Sequence, residues 1–224
     1  LTLGQVCAQS VTVSSNPGPS PRHRERGLDP DGAPGEAARR EAMKGQKMYP
    51  LIRLAKEMLK YRKRPLGLFD THVSQHSCWP WDLDPWRELN NGRTLTLYDL
   101  GRVPLCSRIG LNDALLKQGW GMTVAGSTVR YRRRVKIMQA VEMRSRLLGW
   151  DQRFFYMEQS MWRGGEALNH VLIRSATTSD KGIVAPVELV RAMGHEGVDS
   201  PELPAFVQAW IAADAERPWP PMSA

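Results

Sequence analysis

Between Asn90 and about Ile109 the chain carries a long apolar pattern at helical spacing, and behind it lie four stretches in which apolar residues alternate. Val124–Ile137, Val141–Leu148, Phe154–Trp162 and Ala167–Ala176 read as strands. Gly164-Gly165, between the last two, is a two-residue hairpin signal, because both turn positions need a positive φ. Leu68–Cys78, ahead of the helix, alternates more loosely and reads as a further strand. A helix with this many apolar positions can bury them only if a sheet wraps it. The expected class is therefore α+β, with a long central helix wrapped by a five- to six-stranded antiparallel sheet.

The remaining chain divides around that unit. Residues 1–47 are rich in Pro, Gly, Ser, Arg and Glu and read as a disordered N-terminal extension, set aside from the fold. Residues 48–66 read as an amphipathic helix, with Leu51, Ile52, Ala55, Met58 and Leu59 on one face. Residues 67–180 hold the strands and the long helix, and residues 181–224 form a C-terminal helical segment with helices at Pro186–Met193 and Pro204–Ala215. Pro104 is expected to bend or break the long helix.

The net charge of +8 is concentrated at two places. Arg53–Arg64 has six cations against Glu57, and Arg130–Lys136 has five cations and no acid. Such local sites suit a phosphate-bearing ligand, an anionic membrane surface or nucleic acid. No helix-turn-helix, zinc-finger or aromatic-basic pattern supports nucleic acid. For the basic helix, packing on its own domain is favoured over a membrane surface. Alternation predicts that Thr128, Arg130, Arg132, Arg134 and Lys136 share one strand face, either solvated or ligand-binding.

Cys7, Cys78 and Cys106 are odd in number and widely spaced, which fits a reducing, cytoplasmic setting better than a disulfide framework. The first fifteen residues lack the pattern of a secretory signal. His72, Ser74, His76 and Cys78 share one strand face, but no acidic or cysteine pair completes a metal-ligand set, and an exposed or edge-strand face is the simpler account.

The densest chemistry lies just before the long helix. Asp82 and Asp84 sit among Trp79, Trp81 and Trp86, and Asn91 is the expected helix cap. A carboxylate in a partly apolar pocket near a helix N-terminus could do acid–base work, with helix amides near Gly92 facing a developing oxyanion. Asp-x-Asp before Pro is equally a turn-former, and both readings stay open on this ground alone. Asp99 and Arg102, three apart, are expected to pair on the helix.

The run Trp79-Pro80-x-Asp82-Leu83-Asp84, Leu89-Asn90-Asn91-x-Arg93-x-Leu95 and Asp99-Leu100-Gly101-Arg102 resembles the signature of the 4-hydroxybenzoyl-CoA-thioesterase-like branch of hotdog-fold proteins. Val129–Arg133, Ser145–Asp151 and Phe155–Gln159 extend the resemblance to roughly 69–176. It implies a hotdog fold, homodimers or dimers of dimers with sites at the subunit interface, and hydrolysis of an acyl-CoA thioester to free acid and coenzyme A. No cofactor is implied beyond the coenzyme A of the substrate. Asp84 falls at the position of the catalytic nucleophile or general base, and Asn90 and Asn91 match the pair at the helix start. Where many members have Gly-His, this chain has Arg87-Glu88, and Glu88 could take the His role as a polar partner or simply be exposed. Catalytic roles therefore fall to Asp84, Asn91 and Glu88, and substrate contacts to Asn90, Gly92, Arg130, Arg132 and Arg133. A non-catalytic acyl-CoA or acyl-carrier binding module is the alternative. A dehydratase or hydratase ranks last, because no His lies between His76 and His170.

Overall fold

The computed structural model describes residues 49–222. The expected N-terminal extension lies outside the described residues. In chain order the elements are α1 (Leu51–Tyr61), β1 (His72–Ser77), a 3₁₀ turn (Pro80–Asp82), α2 (Asn91–Arg108), α3 (Leu111–Gln118), β2 (Gly121–Tyr131), β3 (Ala140–Trp150), β4 (Phe155–Arg163), β5 (Glu166–Ser179), β6 (Gly182–Val184), α4 (Pro186–Ala192) and α5 (Ala205–Ala215). One antiparallel sheet runs β1-β3-β4-β5-β2, with β6 added to β5, so the sheet extends past residue 180. This is the α+β hotdog arrangement: α2 lies against β1, β3 and β4.

Alternation along the strands makes this core. Met143, Leu147, Met157, Met161, Val171 and Ile173 face inward and meet Leu97, Tyr98, Leu100 and Leu105 of α2. Fully burying one such side chain is worth about 1.5–3 kcal/mol. The approach is closest at Gly101, where a Cβ would lie 2.6 Å from both Met143 Sδ and Ser145 Oγ. Pro104 is accommodated inside α2, which continues to Arg108. As expected, Gly164 and Gly165 turn the β4–β5 hairpin, both with positive φ. Gly149 and Trp150 belong to β3, and the turn that follows is built on Asp151, whose Oδ1 accepts the amides of Arg153 and Phe154. The opposite face of the sheet is partly covered by α5, through Val207, Trp210 and Ile211 on Leu148, Tyr156 and Leu172.

Three expectations need correction. The strand expected to run to Ile137 ends at Tyr131: the amides of Arg132 and Arg133 both turn to the Leu168 carbonyl, each at 2.9 Å. The chain then crosses the loop before α2, where the Leu89 amide donates to the Val135 carbonyl at 2.9 Å. The single cationic strand face is therefore broken after residue 131.

The second concerns α1. Its inward side is Leu54, Glu57, Met58 and Tyr61, while Ile52 and Leu59 of the expected packing face point outward. Polar anchors set this orientation: Arg53 donates to the Ser77 carbonyl at 2.7 Å and Tyr61 to the Val73 carbonyl at 3.0 Å.

The third is the polar face of β1. The strand is at the sheet edge, but His72, Ser74, His76 and Cys78 are buried, not exposed. Among the described residues no cluster of His, Cys, Asp or Glu could hold a metal. His72 Nδ1 meets Arg108 Nη1 at 2.8 Å, and His76 Nε2 meets Ser74 Oγ at 2.8 Å. Burial, with the Arg108 and Lys60 cations behind it, lowers the His72 pKa from 6.5 to about 4. Burial, then Arg53 and neighbouring cations, lowers that of His76 to about 3. The folded state thus holds both rings neutral, whereas the unfolded chain takes up protons near pH 6.5. Their contribution to stability is complete above that pH and is lost as pH falls through about 4 and then about 3. Glu57 opposes this, since burial raises its pKa, but it is one group against two histidines. Urea midpoints should fall steadily on acidification below pH ~6.5, and the fall should flatten in His72→Gln/His76→Gln; equal slopes in both proteins would refute this.

Candidate functional site

Asp82 fixes the loop that leads into α2. Its side chain is 0% exposed. Oδ2 accepts from Arg53 Nη1 at 2.8 Å and from the Trp79 amide at 3.0 Å. Oδ1 accepts from Arg93 Nη2 at 2.8 Å and Nε at 3.2 Å. Its carbonyl accepts the Asn90 amide at 2.9 Å. One carboxylate therefore ties α1, the 3₁₀ turn and the start of α2 together, through a turn amide and two arginine partners.

Asp84 organises the next four residues. Its Oδ1 accepts the amides of Trp86 at 2.9 Å and Glu88 at 3.1 Å, and its own amide donates to the Glu88 carbonyl at 2.8 Å. The tight loop puts Arg87 at φ 63°, in the left-handed region. A non-glycine side chain in that conformation costs roughly 1–2 kcal/mol.

Asn90, rather than Asn91, caps α2. Asn90 Oδ1 accepts the amides of Gly92 at 2.9 Å and Arg93 at 3.2 Å. The Gly92 amide is thereby engaged and is not a free oxyanion donor. The Asn91 amide, one position earlier, has no hydrogen-bond partner among the described residues. The Asn91 carbonyl accepts from the Tyr131 hydroxyl at 3.5 Å.

These elements enclose a pocket of about 230 Å³ lined by Glu88, Asn91, Thr94, Tyr131, Arg132–Arg134 and Asn169. Glu88 is its carboxylate, 26% exposed and paired with Arg134 Nη1 at 2.9 Å. Asn169 is held from behind by the buried Tyr98 hydroxyl. Beside the pocket, and sharing Arg132–Arg134 with it, is a wider groove of about 860 Å³ that adds Lys136 and Arg163.

The sequence-derived candidates therefore divide. Glu88, Asn91, Arg132 and Arg133 meet in the pocket; Asn90 and Gly92 form the helix cap beside it; Asp84 holds the loop and does not line the cavity. Arg130 is elsewhere: it shares a groove with Glu158, His170, Phe206 and Trp210, on the sheet face that α5 packs against. The parity is right for the strand, but the strand ends before Arg132. Thr94, Tyr131 and Asn169 were not anticipated. Tyr131 follows the apolar parity of its strand, and nothing local marks a polar residue whose neighbours come from β5. Asp99 and Arg102 pair as expected, with Tyr49 Oη also on Asp99 at 2.8 Å, away from the pocket.

Residues 78–211 match the model of the thioesterase-like superfamily. The chain is 35% identical over 164 residues to Protein THEM6 of Xenopus laevis, spanning 71% of this chain and 77% of that protein. It is 28% identical over 154 residues to Protein THEM6 of Drosophila melanogaster, spanning 68% and 77%. Among solved structures, a protein provisionally assigned as an oleoyl thioesterase of Lactobacillus plantarum superposes with a TM-score of 0.52 at 20% identity, covering 61% of this chain and 56% of that one. A hypothetical protein of Thermus thermophilus superposes with a TM-score of 0.50 at 18% identity, covering 55% and 97%. These two likenesses bear on the fold.

Proposed function

The chain belongs to the thioesterase-like superfamily, and from that premise we propose that it hydrolyses an acyl-CoA thioester to the free acid and coenzyme A. The observation that carries the reading is the pocket at the start of α2, where a carboxylate, an unpartnered helix amide and three arginines converge. In this mechanism Glu88 takes a proton from water as the water oxygen bonds to the thioester carbonyl carbon. The Asn91 amide receives the developing oxyanion. The C–S bond then breaks, and coenzyme A leaves as a thiolate that needs little acid assistance and takes up a proton from Glu88 or solvent. Asp84 acts through Glu88, by holding its amide. The groove of Arg132–Arg134, Lys136 and Arg163 offers charge-assisted donors to the coenzyme A phosphates. The reaction uses no cofactor.

We also propose a homodimer. Among the described residues β2 is an unpaired sheet edge that exposes Val124 and Tyr131, and the pocket lies at its end. A second copy pairing along β2 would stand beside the pocket.

The test is release of coenzyme A thiol from a panel of acyl-CoAs of different chain length. In Arg132→Ala/Arg134→Ala, KM should rise about tenfold or more, with a smaller change in kcat, as expected for lost phosphate contacts. An unchanged KM would remove the groove from coenzyme A recognition. A second reading has one observation in its favour: Glu88 is already paired with Arg134, which suits a site built to hold a ligand without turning it over. Tight acyl-CoA binding by calorimetry with no thiol release in any member of the panel would select that reading.

A further inference from the structure

The outward face of α1 is the most exposed apolar feature of a regular element, and its chemistry says what covers it. Ile52 is 87% exposed and Leu59 71%. They are seven residues apart, two helical turns, and so lie in one line. Lys56 and Lys63 continue that line at four-residue offsets, and Arg62 and Lys60 flank it. Lys56, Lys60, Arg62, Lys63 and Arg64 are all exposed, and none forms an ion pair among the described residues. The acid of the helix, Glu57, is buried on the opposite side. Arg53 and Glu57 thus point into the domain beside Leu54 and Met58, while Ile52 and Leu59 are left pointing out.

This rotation of the helix is held in place, not accidental. Arg53 is fixed by Asp82 and the Ser77 carbonyl, and Tyr61 by the Val73 carbonyl and by edge contact with the His72 ring at 4.6 Å. At the same end of the helix as Arg53, the stacked rings of Trp79 and Trp81 are also exposed, next to the carboxylate that Arg53 binds. Aliphatic knobs bracketed by unpaired cations, with indole rings beside them, match an interface of acyl chains below and anionic headgroups above. Residues 1–48 complement this face poorly, because they carry seven cations against five acids. A second copy meeting it through the same face would bring the same positive charge against it.

We propose that the outer face of α1 docks the protein peripherally on an anionic membrane, with Ile52 and Leu59 entering the headgroup–acyl boundary and the surrounding lysines and arginines on the lipid phosphates. No helix of the described residues is long and apolar enough to cross a membrane; α1 itself would lie in the plane of the surface. Docking does not rest on the thioesterase reading, and each can fail without the other.

The experiment is sedimentation of the full chain with vesicles of phosphatidylcholine containing phosphatidylserine, and with phosphatidylcholine alone. Binding should appear with the anionic vesicles, weaken steeply as salt is raised, and fall at least tenfold in both Ile52→Ser/Leu59→Ser and Lys56→Glu/Lys63→Glu. These side chains are exposed, so thermal unfolding of the variants should match the parent and separate lost docking from lost folding. No binding to anionic vesicles at low salt overturns the proposal, as does binding that neither variant weakens. A drop in solution mass in Ile52→Ser/Leu59→Ser overturns it too, because a second copy would then be the occupant.

Discussion

Glu88→Gln should lower kcat for acyl-CoA hydrolysis by about 10²–10⁴, the size expected for removing a general base, while changing KM little. The substitution is nearly isosteric and keeps an oxygen facing Arg134, so the pocket should hold its shape. What disappears is the basic lone pair and the negative charge. Asp84→Asn should do much less, under about tenfold, because Asn still offers Oδ1 to the Trp86 and Glu88 amides and supports the same turn. Stopped-flow or steady-state thiol release with both variants, checked by circular dichroism for intact folding, separates the two carboxylates. If Asp84→Asn abolishes turnover and Glu88→Gln does not, Asp84 is the nucleophile or base and Glu88 the residue that holds it.

The assignment of those two acids shows where sequence reading runs out. That acidic and amide residues gather before α2 is legible, because Asp82, Asp84, Glu88 and Asn90 stand next to the helix start. Which one faces the cavity depends on the turn between them. The Asp84 carboxylate closes that turn on two amides, Arg87 adopts a positive φ, and Glu88 is carried to the pocket wall. None of these geometries has a local signature, because an arginine does not announce a positive φ. The cap shifts by one residue for a similar reason: Asn90 and Asn91 are equally good caps by composition, and the Asp82 carbonyl, by taking the Asn90 amide, decides between them.

The fold itself was much more legible. Periodicities of 3.6 and 2 are imposed by burial, and burial is what assembles α2 against β1, β3 and β4. Periodicity misled where polar contacts overrule it. The alternation through Arg130–Lys136 continues past the point where the ladder stops, because the Arg132 and Arg133 amides share one carbonyl. The aliphatic residues of α1 suggest one inward face, yet Arg53 and Tyr61 anchor the helix rotated from it, with Leu54 and Met58 inward and Ile52 and Leu59 outward. Pattern arguments weigh apolar area alone, and here buried charge on the neighbouring loop sets the helix rotation.

That buried charge leads to the largest stability effect expected in this protein. Asp82→Ala should destabilise the fold by about 3–5 kcal/mol, the range for removing one partner of a buried ion pair. The loss exceeds that of the hydrogen bonds alone. Arg53 and Arg93, only 19% and 13% exposed in their side chains, would keep their charges with the shared counter-ion gone. The Trp79 amide would lose its acceptor as well. Asp82→Asn should cost less, since its oxygen can still accept from one of these donors, though no longer as an anion. Denaturant unfolding gives the values, and hydrogen exchange gives their location. Protection in α1 should fall first, because Asp82 supplies one of its few anchors to the domain. A change below about 1 kcal/mol, with α1 still protected, would mean that the two guanidinium groups are satisfied by solvent and that the pairing is incidental. Removing all three charges together tests the same point from the other side. With Asp82→Leu, Arg53→Met and Arg93→Met combined, the buried charges of this cluster are gone together, and much of the stability lost in Asp82→Ala should return. Catalysis should not return with it, because Asp82 also fixes the loop that presents Glu88 to the pocket.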